Sequence, residues 1–359
     1  MAAIVTVLDV LFILLPDRAE SETENRMLQQ FPKLNFNTLT SGRFESQFDK
    51  YIADQFPFRD SWTSLEATIA RLAGNTMSNG IFLAKDGYLI QKFDEPDEEE
   101  YRSVLSGYVN VAQSYPDLNI YAMVVPTAAG VLKDLLPANA FSYVSGDENA
   151  YLDRLYEDLN AAGITTADVR NALKQLNDSG VQTYYRTDHH WTTDAAYEAY
   201  KNFAQIAGTS GDAKIYDRML LTDSFQGTLS ASSGFRTSMT EDMYIYIPAE
   251  GQETEYVMIN LDDGSRSASV YDTSFLDTRD KYAVFMGGNH GEVKIETSAG
   301  TGRKLLVIKD SYANSFIPFL IPDFDTIVVI DPRYFQSDMD QVIRSEEITD
   351  ILFLNNTGT

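Results

Sequence analysis

The segment Lys304-Leu305-Leu306-Val307-Ile308-Lys309 narrows the choice of fold more than any other in this chain. Its four consecutive apolar residues, Leu305 to Ile308, suit a strand buried on both faces, and such strands belong to parallel sheets with helices on either side. The run leads directly into Asp310-Ser311-Tyr312, and Tyr312 to Leu320 begins like a helix. A strand, a tight turn and a helix start would expose Ser311 at the carboxyl edge of the sheet, where α/β proteins place their sites. A helix cap is the plainer role for an Asp-Ser dipeptide.

The rest of the chain repeats the alternation. Helices are expected at Tyr101 to Ser114, Asp147 to Ala162, Ala167 to Leu176 and Thr193 to Ala207, the last opened by Thr192 and closed by Gly208. Strands are expected at Asn119 to Val125, Tyr282 to Met286, Thr326 to Ile330 and Asp350 to Leu354. Ile81 to Ile90 reads as a hairpin turning at Asp86-Gly87. Strand and helix in turn predict an α/β fold built on a parallel sheet with flanking helices. Residues 210 to 280 break the pattern with Ser, Thr, Gly, Asp and Tyr and short alternating runs such as Met243 to Ile247, the mark of a β-rich insertion.

Ahead of this core, Phe44, Phe48, Tyr51 and Ile52 give a helical stripe that Pro57 ends, and a second helix spans about Ser61 to Leu72. Met1 to Pro16 is mostly apolar. It is shorter than the roughly 20 residues a spanning helix needs, and it carries Asp9. The expected organisation is a truncated membrane anchor or signal segment at 1–16, a helical juxtamembrane region at 17–80, and the α/β domain at 81–359. The domain would then lie outside the cytoplasm, tethered to the membrane. With 53 acidic against 28 basic residues the net charge is -25, which argues against nucleic acid as a partner. No cysteine is present, so disulfides and thiolate metal sites do not arise.

Arg186-Thr187-Asp188-His189-His190-Trp191-Thr192 holds two of the chain's three histidines. Two residues apart in an extended segment, Asp188 and His190 face the same way, and His189 points away. With Ser311 they supply nucleophile, imidazole base and orienting acid. A metal reading would use Asp188, His189 and His190. The third histidine, His290, is remote and no HExxH spacing occurs, so no metal or other cofactor is called for.

Asp310-Ser311-Tyr312 after a buried strand resembles the nucleophile block of the SGNH hydrolases, and Asp188-x-His190 resembles their Asp/His block. The Asp-His-His-Trp run, with Glu24-Asn25-Arg26 and Lys309-Asp310-Ser311-Tyr312-Ala313-Asn314, resembles the bacterial DHHW family. That family is in turn similar to SGNH-like proteins that O-acetylate alginate and related exopolysaccharides. The resemblance implies an SGNH-like sheet, circularly permuted, because Asp188 and His190 precede Ser311. Asn355 or Asn356 would then donate to the oxyanion, with Arg333 where the glycine block is missing. Gly288 and Asn289 are a rival source of donors.

The function implied is that of an extracytoplasmic, serine-dependent O-acyl transferase or esterase, its acyl group acetyl and its substrate a cell-surface polysaccharide. The resemblance also implies a membrane-bound O-acyltransferase partner. Two other readings stand: a non-catalytic glycan-binding or assembly protein, to which the 21 tyrosines are equally suited, and a metal-dependent hydrolase.

Overall fold

The computed structural model describes residues 2–21, 26–34, 42–72, 74–209, 214–235 and 237–358. Glu24 and Asn25 of the quoted motif, and positions 210–213 of the insertion, lie outside the described residues. The core is an eight-stranded mixed sheet. Its strands are β1 (Asn119–Val125), β2 (Thr165–Thr166), β3 (Tyr256–Asn260), β4 (Arg266–Ser267), β5 (Glu292–Thr297), β6 (Lys304–Lys309), β7 (Thr326–Ile330) and β8 (Asp350–Asn356). They lie in the order β4-β3-β5-β7-β6-β8-β1-β2. From β7 to β2 the pairs are parallel, and β5, β3 and β4 extend the β7 edge with antiparallel pairing.

Counted from β6 through the C-terminal strand and on to β1, the parallel part has the doubly wound order 2-1-3-4-5. The strand that leads into Ser311 thus comes first in this count although it follows β1 and β2 in the chain, in keeping with the expected circular permutation. Its switch point, where a crevice opens outside the strand ends, lies between β6 and β8. Leu305, Leu306 and Val307 are fully buried, as a strand covered on both faces requires.

The longer helices that bear on the core or precede it include α1 (Arg43–Gln55), α2 (Arg59–Leu72), α3 (Glu98–Ser114), α4 (Glu148–Ala161), α5 (Arg170–Asp178) and α6 (Thr193–Ala207). Local chemistry sets where they start and stop. Asp97 caps α3 and Glu100 closes a capping box, so the helix begins three residues ahead of Tyr101. Thr192 caps α6, and Gly208 ends it in the left-handed conformation at φ 65°. The 81–91 hairpin forms as expected, Ile81–Leu83 pairing with Leu89–Gln91 across a turn that holds Asp86 at φ 56°.

Two expectations fail. Tyr282 to Met286 is no strand but a buried 3₁₀ turn, Lys281–Val284, ending with Met286 at φ 64° before Gly287-Gly288. Its apolar residues are buried, and burial alone does not separate strand from turn. Tyr312 to Leu320 is a 3₁₀ turn, Ser311–Ser315, followed by one turn of helix, Ile317–Leu320. The stretch 210–280 is β-rich as expected among its described residues, and it divides: Tyr216–Phe225 and Glu241–Pro248 make a separate ribbon, whereas β3 and β4 join the main sheet. Near the start of the chain, Ala2–Leu14 is a helix of 13 residues. Among the described residues no helix is long and apolar enough to cross a membrane.

Candidate active site

Ser311 stands one residue beyond Asp310, at the carboxyl end of β6 beside the end of β8. Asp310 N–H donates to the Leu354 carbonyl at 3.2 Å, so strand register carries directly into the turn. The Asp310 carboxylate accepts from Tyr312 N–H at 2.8 Å, and from the Asn356 N–H and side-chain amide at 2.7 and 2.6 Å. One buried acid thereby closes the turn under Ser311 and ties it to the neighbouring strand. The capping role and the presentation of the serine are thus one arrangement.

The other side of the site is irregular. His190 N–H donates to Asp188 Oδ1 at 2.9 Å, a side-chain turn that bends the chain. Residues 187–190 are therefore a bend rather than an extended segment. Asp188 and His190 do converge, but through this turn, and His189 does not point away: its ring lines the same cavity, 3.9 Å from the His190 ring. His190 Nδ1 lies 2.5 Å from Asp188 Oδ1, and His190 Nε2 lies 2.7 Å from Ser311 Oγ. Asp188 Oδ2 accepts from Thr228 N–H at 2.9 Å and from its hydroxyl at 3.2 Å. Burial pushes the Asp188 carboxyl up, but the charges of His189 and His190 and the hydrogen bonds from His190 outweigh it and hold the group well below the carboxylate range.

Neighbouring groups hold this bend in place. Glu241 accepts four hydrogen bonds, from the Gln182 amide at 2.6 Å, Arg186 N–H at 2.9 Å, Thr187 N–H at 2.9 Å and the Thr187 hydroxyl at 2.7 Å. Gly227 backs Asp188 so closely that a β-carbon there would sit 2.1 Å from the Asp188 Cβ. The Tyr282 ring lies flat on the imidazole of His190, 3.7 Å between centroids and 7° from parallel, and its hydroxyl donates to Ser315 Oγ at 3.1 Å. Sequence reasoning missed all three. Glu241 had a signal: two-residue alternation puts it on the buried face with Met243 and Ile245. Nothing in the composition around Gly227 or Tyr282 singles them out.

A cavity of about 360 Å³ opens over Ser311, lined also by Asn356, Arg333, Thr127 and the hairpin residues Leu89 and Gln91. Of the oxyanion candidates, Asn356 and Arg333 border it. Arg333 is held two-handed by the buried Asp331, at 2.8 and 2.6 Å. Asp331 also receives Lys309, whose ammonium group burial pulls below its usual range. Asn355 turns elsewhere: its oxygen accepts from the Tyr108 hydroxyl at 2.6 Å and its amide donates to the Asn356 carbonyl at 3.0 Å. Asn289 accepts from Lys309 at 3.0 Å, and Gly288 O from Asn314 at 3.5 Å, so both support the strand ends and neither lines the cavity. Asp188, His189 and His190 also offer ligand atoms within 4.8 Å of one another, a set able to hold a cation. Doing so would draw His190 out of its contacts with Ser311 and Asp188.

The family model described as DHHW protein matches residues 70–330. The solved structure of a DHHW family protein from Eubacterium siraeum is similar at 28% identity and a TM-score of 0.64, over 78% of this chain and 91% of that one. Bacillus cereus PatB1, solved with a sulfonyl adduct, is similar at 19% identity and a TM-score of 0.60, over 77% of this chain and 95% of that one. The O-acetyltransferase domain of Pseudomonas putida AlgJ matches at 14% identity and a TM-score of 0.45, over 77% of this chain and 91% of that one. No curated protein matches the sequence. A match that covers well over half of the chain and takes in both the Asp188–His190 bend and Ser311 makes this protein a member of the DHHW family.

Proposed function

We propose that this chain is a serine-dependent O-acyl transferase or esterase, transferring or removing acetyl groups on a cell-surface polysaccharide outside the cytoplasm. The observation that carries the reading is the continuous relay Asp188–His190–Ser311, with contacts of 2.5 and 2.7 Å, at the mouth of a cavity on the sheet's carboxyl edge. Ser311 Oγ attacks the carbonyl of an acyl donor as His190 Nε2 takes its proton. Asp188 fixes Nδ1–H and steadies the imidazolium. The Ser311 N–H, which has no protein acceptor among the described residues, and the Asn356 side chain are the donors assigned to the oxyanion, with Arg333 at the rim. Collapse expels the donor's alcohol and leaves acyl-Ser311. A sugar hydroxyl or water then attacks the ester, and the serine is released.

Polar groups at the rim (Gln91, Lys92, Asp94, Thr127) suit a hydroxylated acceptor better than a long acyl chain. Tethering through the N-terminal apolar segment and a membrane-bound O-acyltransferase as acyl source belong to the same proposal. They rest on the resemblance to alginate-type systems. The sulfonyl adduct on PatB1, which shares the fold, suggests a direct probe: a sulfonyl fluoride should label Ser311.

The test uses p-nitrophenyl acetate with wild type, Ser311→Ala and His190→Ala, with and without EDTA. Both variants should lose p-nitrophenol release on the order of 10³-fold while staying folded, and EDTA should change nothing. Ser311→Ala as active as wild type would sink the proposal. Loss of activity with EDTA, restored by added Zn²⁺, would move the chemistry to a cation held by Asp188, His189 and His190.

A further inference from the structure

His189 is the member of the bend that the relay does not use. Its Nδ1 lies 3.2 Å from Thr228 Oγ1 and 3.7 Å from Asp188 Oδ1. A threonine hydroxyl has one proton, and that of Thr228 goes to Asp188 Oδ2 at 3.2 Å. Thr228 Oγ1 is therefore the acceptor toward His189, and the proton of that pair sits on His189 Nδ1, on the edge of the ring that faces the Asp188 carboxylate. An imidazole at its ordinary value of about 6.5 is mostly neutral at pH 7. In a neutral ring with Nδ1–H, Nε2 is an unprotonated acceptor. Nε2 has no protein partner among the described residues, and the ring lines the cavity beside Ser311.

We propose that His189 Nε2 is a specificity-determining acceptor that receives a hydrogen bond from the hydroxyl adjacent to the one being acylated, selecting a vicinal diol over a lone alcohol or water. The inference rests on the acyl-enzyme reading above. In the transfer step one sugar hydroxyl attacks the carbonyl carbon of acyl-Ser311, and its proton passes to His190 Nε2. The neighbouring hydroxyl donates to His189 Nε2, on a ring 3.9 Å from that of His190. The tetrahedral centre collapses with loss of the Ser311 Oγ–carbon bond, and His190 returns the proton to Oγ. A lone alcohol fills the first position and leaves His189 Nε2 unpaired, which costs affinity.

The experiment is a competition between ethane-1,2-diol and ethanol for the acetyl group delivered by p-nitrophenyl acetate, read as the ratio of the two acetate esters. Both meet the same acyl-enzyme, so the ratio does not depend on how fast Ser311 is acylated. Wild type should favour the diol. His189→Ala should lower that preference about tenfold, the size of one hydrogen bond, and His189→Gln, whose carbonyl can accept, should restore part of it. Nitrogen NMR of ¹⁵N-histidine-labelled wild type should show His189 Nε2 unprotonated at pH 7. An unchanged ratio in His189→Ala, or a protonated Nε2, overturns the proposal even where mass spectrometry detects acetyl-Ser311. If wild type forms no acetyl-Ser311, the acyl-enzyme reading fails, and this inference fails with it.

Discussion

Ser311 and the Asp188–His190 pair reach one cavity from scaffolds of opposite character. Ser311 rides on β6, which is held by parallel neighbours on both sides and by apolar side chains at zero exposure. Asp188 and His190 sit on a bend without regular hydrogen bonding, held by Glu241, Gly227, Thr228 and the Tyr282 ring. Apolar burial acts over area and is not directional, so it fixes a strand firmly but does not aim a side chain. Buried hydrogen bonds are individually modest, yet they are directional, and leaving one unmade is costly. The nucleophile is thus placed by the fold as a whole, and the base and its acid by a handful of polar contacts.

If that contrast is right, damage to the two sides should have different symptoms. The largest effect on stability is expected from Leu306→Ala in β6, about 2–5 kcal/mol for a large apolar side chain deleted from a closed core. Activity per folded molecule should survive, because backbone register still sets Ser311. Urea titration and p-nitrophenyl acetate turnover at 15 °C would check both halves. A loss of kcat larger than the loss of folded protein would break the comparison.

The next effect in size is expected at Glu241. In Glu241→Gln one oxygen becomes an NH₂ group, so Arg186 N–H or Thr187 N–H faces a donor and stays unpaired, costing about 1–3 kcal/mol. The strain falls on the residues beside Asp188, so kcat should drop by about tenfold or more at a KM for p-nitrophenyl acetate that scarcely moves. Equal loss of stability and no loss of kcat would make Glu241 a general structural residue. Gly227→Ala sharpens the same point without touching charge. Its added carbon lies 2.1 Å from the Asp188 Cβ, so it displaces the acid itself, and the Asp188–His190 bond should lengthen in a crystal structure of the variant.

The same contrast explains what could be read from sequence. β1, β6, β7 and β8 show in the sequence because covered strands need continuous apolar runs, and their number and chain order carry the permuted sheet. The 282–286 run misleads because its burial comes from a turn stacked against His190, and one-dimensional hydropathy does not distinguish the two. β5 is not picked out because Glu292-Val293-Lys294-Ile295-Glu296-Thr297 holds only two apolar residues in a mostly charged run beside Gly291, too few to mark a strand. At the site, Asp188, His190 and Ser311 are legible because few side chains can do such chemistry. His189 was assigned the wrong direction because the alternation rule presumes extended backbone, and the Asp188 carboxylate bends it. Long-range partners such as Glu241 depend on a chain return that local patterns do not encode.

The smallest of these effects, and one confined to the polar side, is a dependence of stability on pH. The folded value for His189 is about 4 against an ordinary 6.5. Between those values the unfolded chain binds a proton that the folded chain does not, so stability rises with pH across that window. The contribution is complete above 6.5 and is lost as pH falls toward 4. Asp188, also depressed, adds a loss of the same sign at still lower pH. The His189 side chain is 34% exposed, so screening limits its share to on the order of 1 kcal/mol. Urea midpoints of wild type and His189→Gln, compared from pH 7.5 to 4.5, should therefore show wild type losing stability relative to the variant as the pH drops, because the variant has no imidazole to protonate. Leu306→Ala should instead follow the wild-type curve at a constant offset. A like loss of wild type relative to Leu306→Ala would mean that acid acts on the apolar core as much as on the bend, and the division between the two scaffolds would be lost.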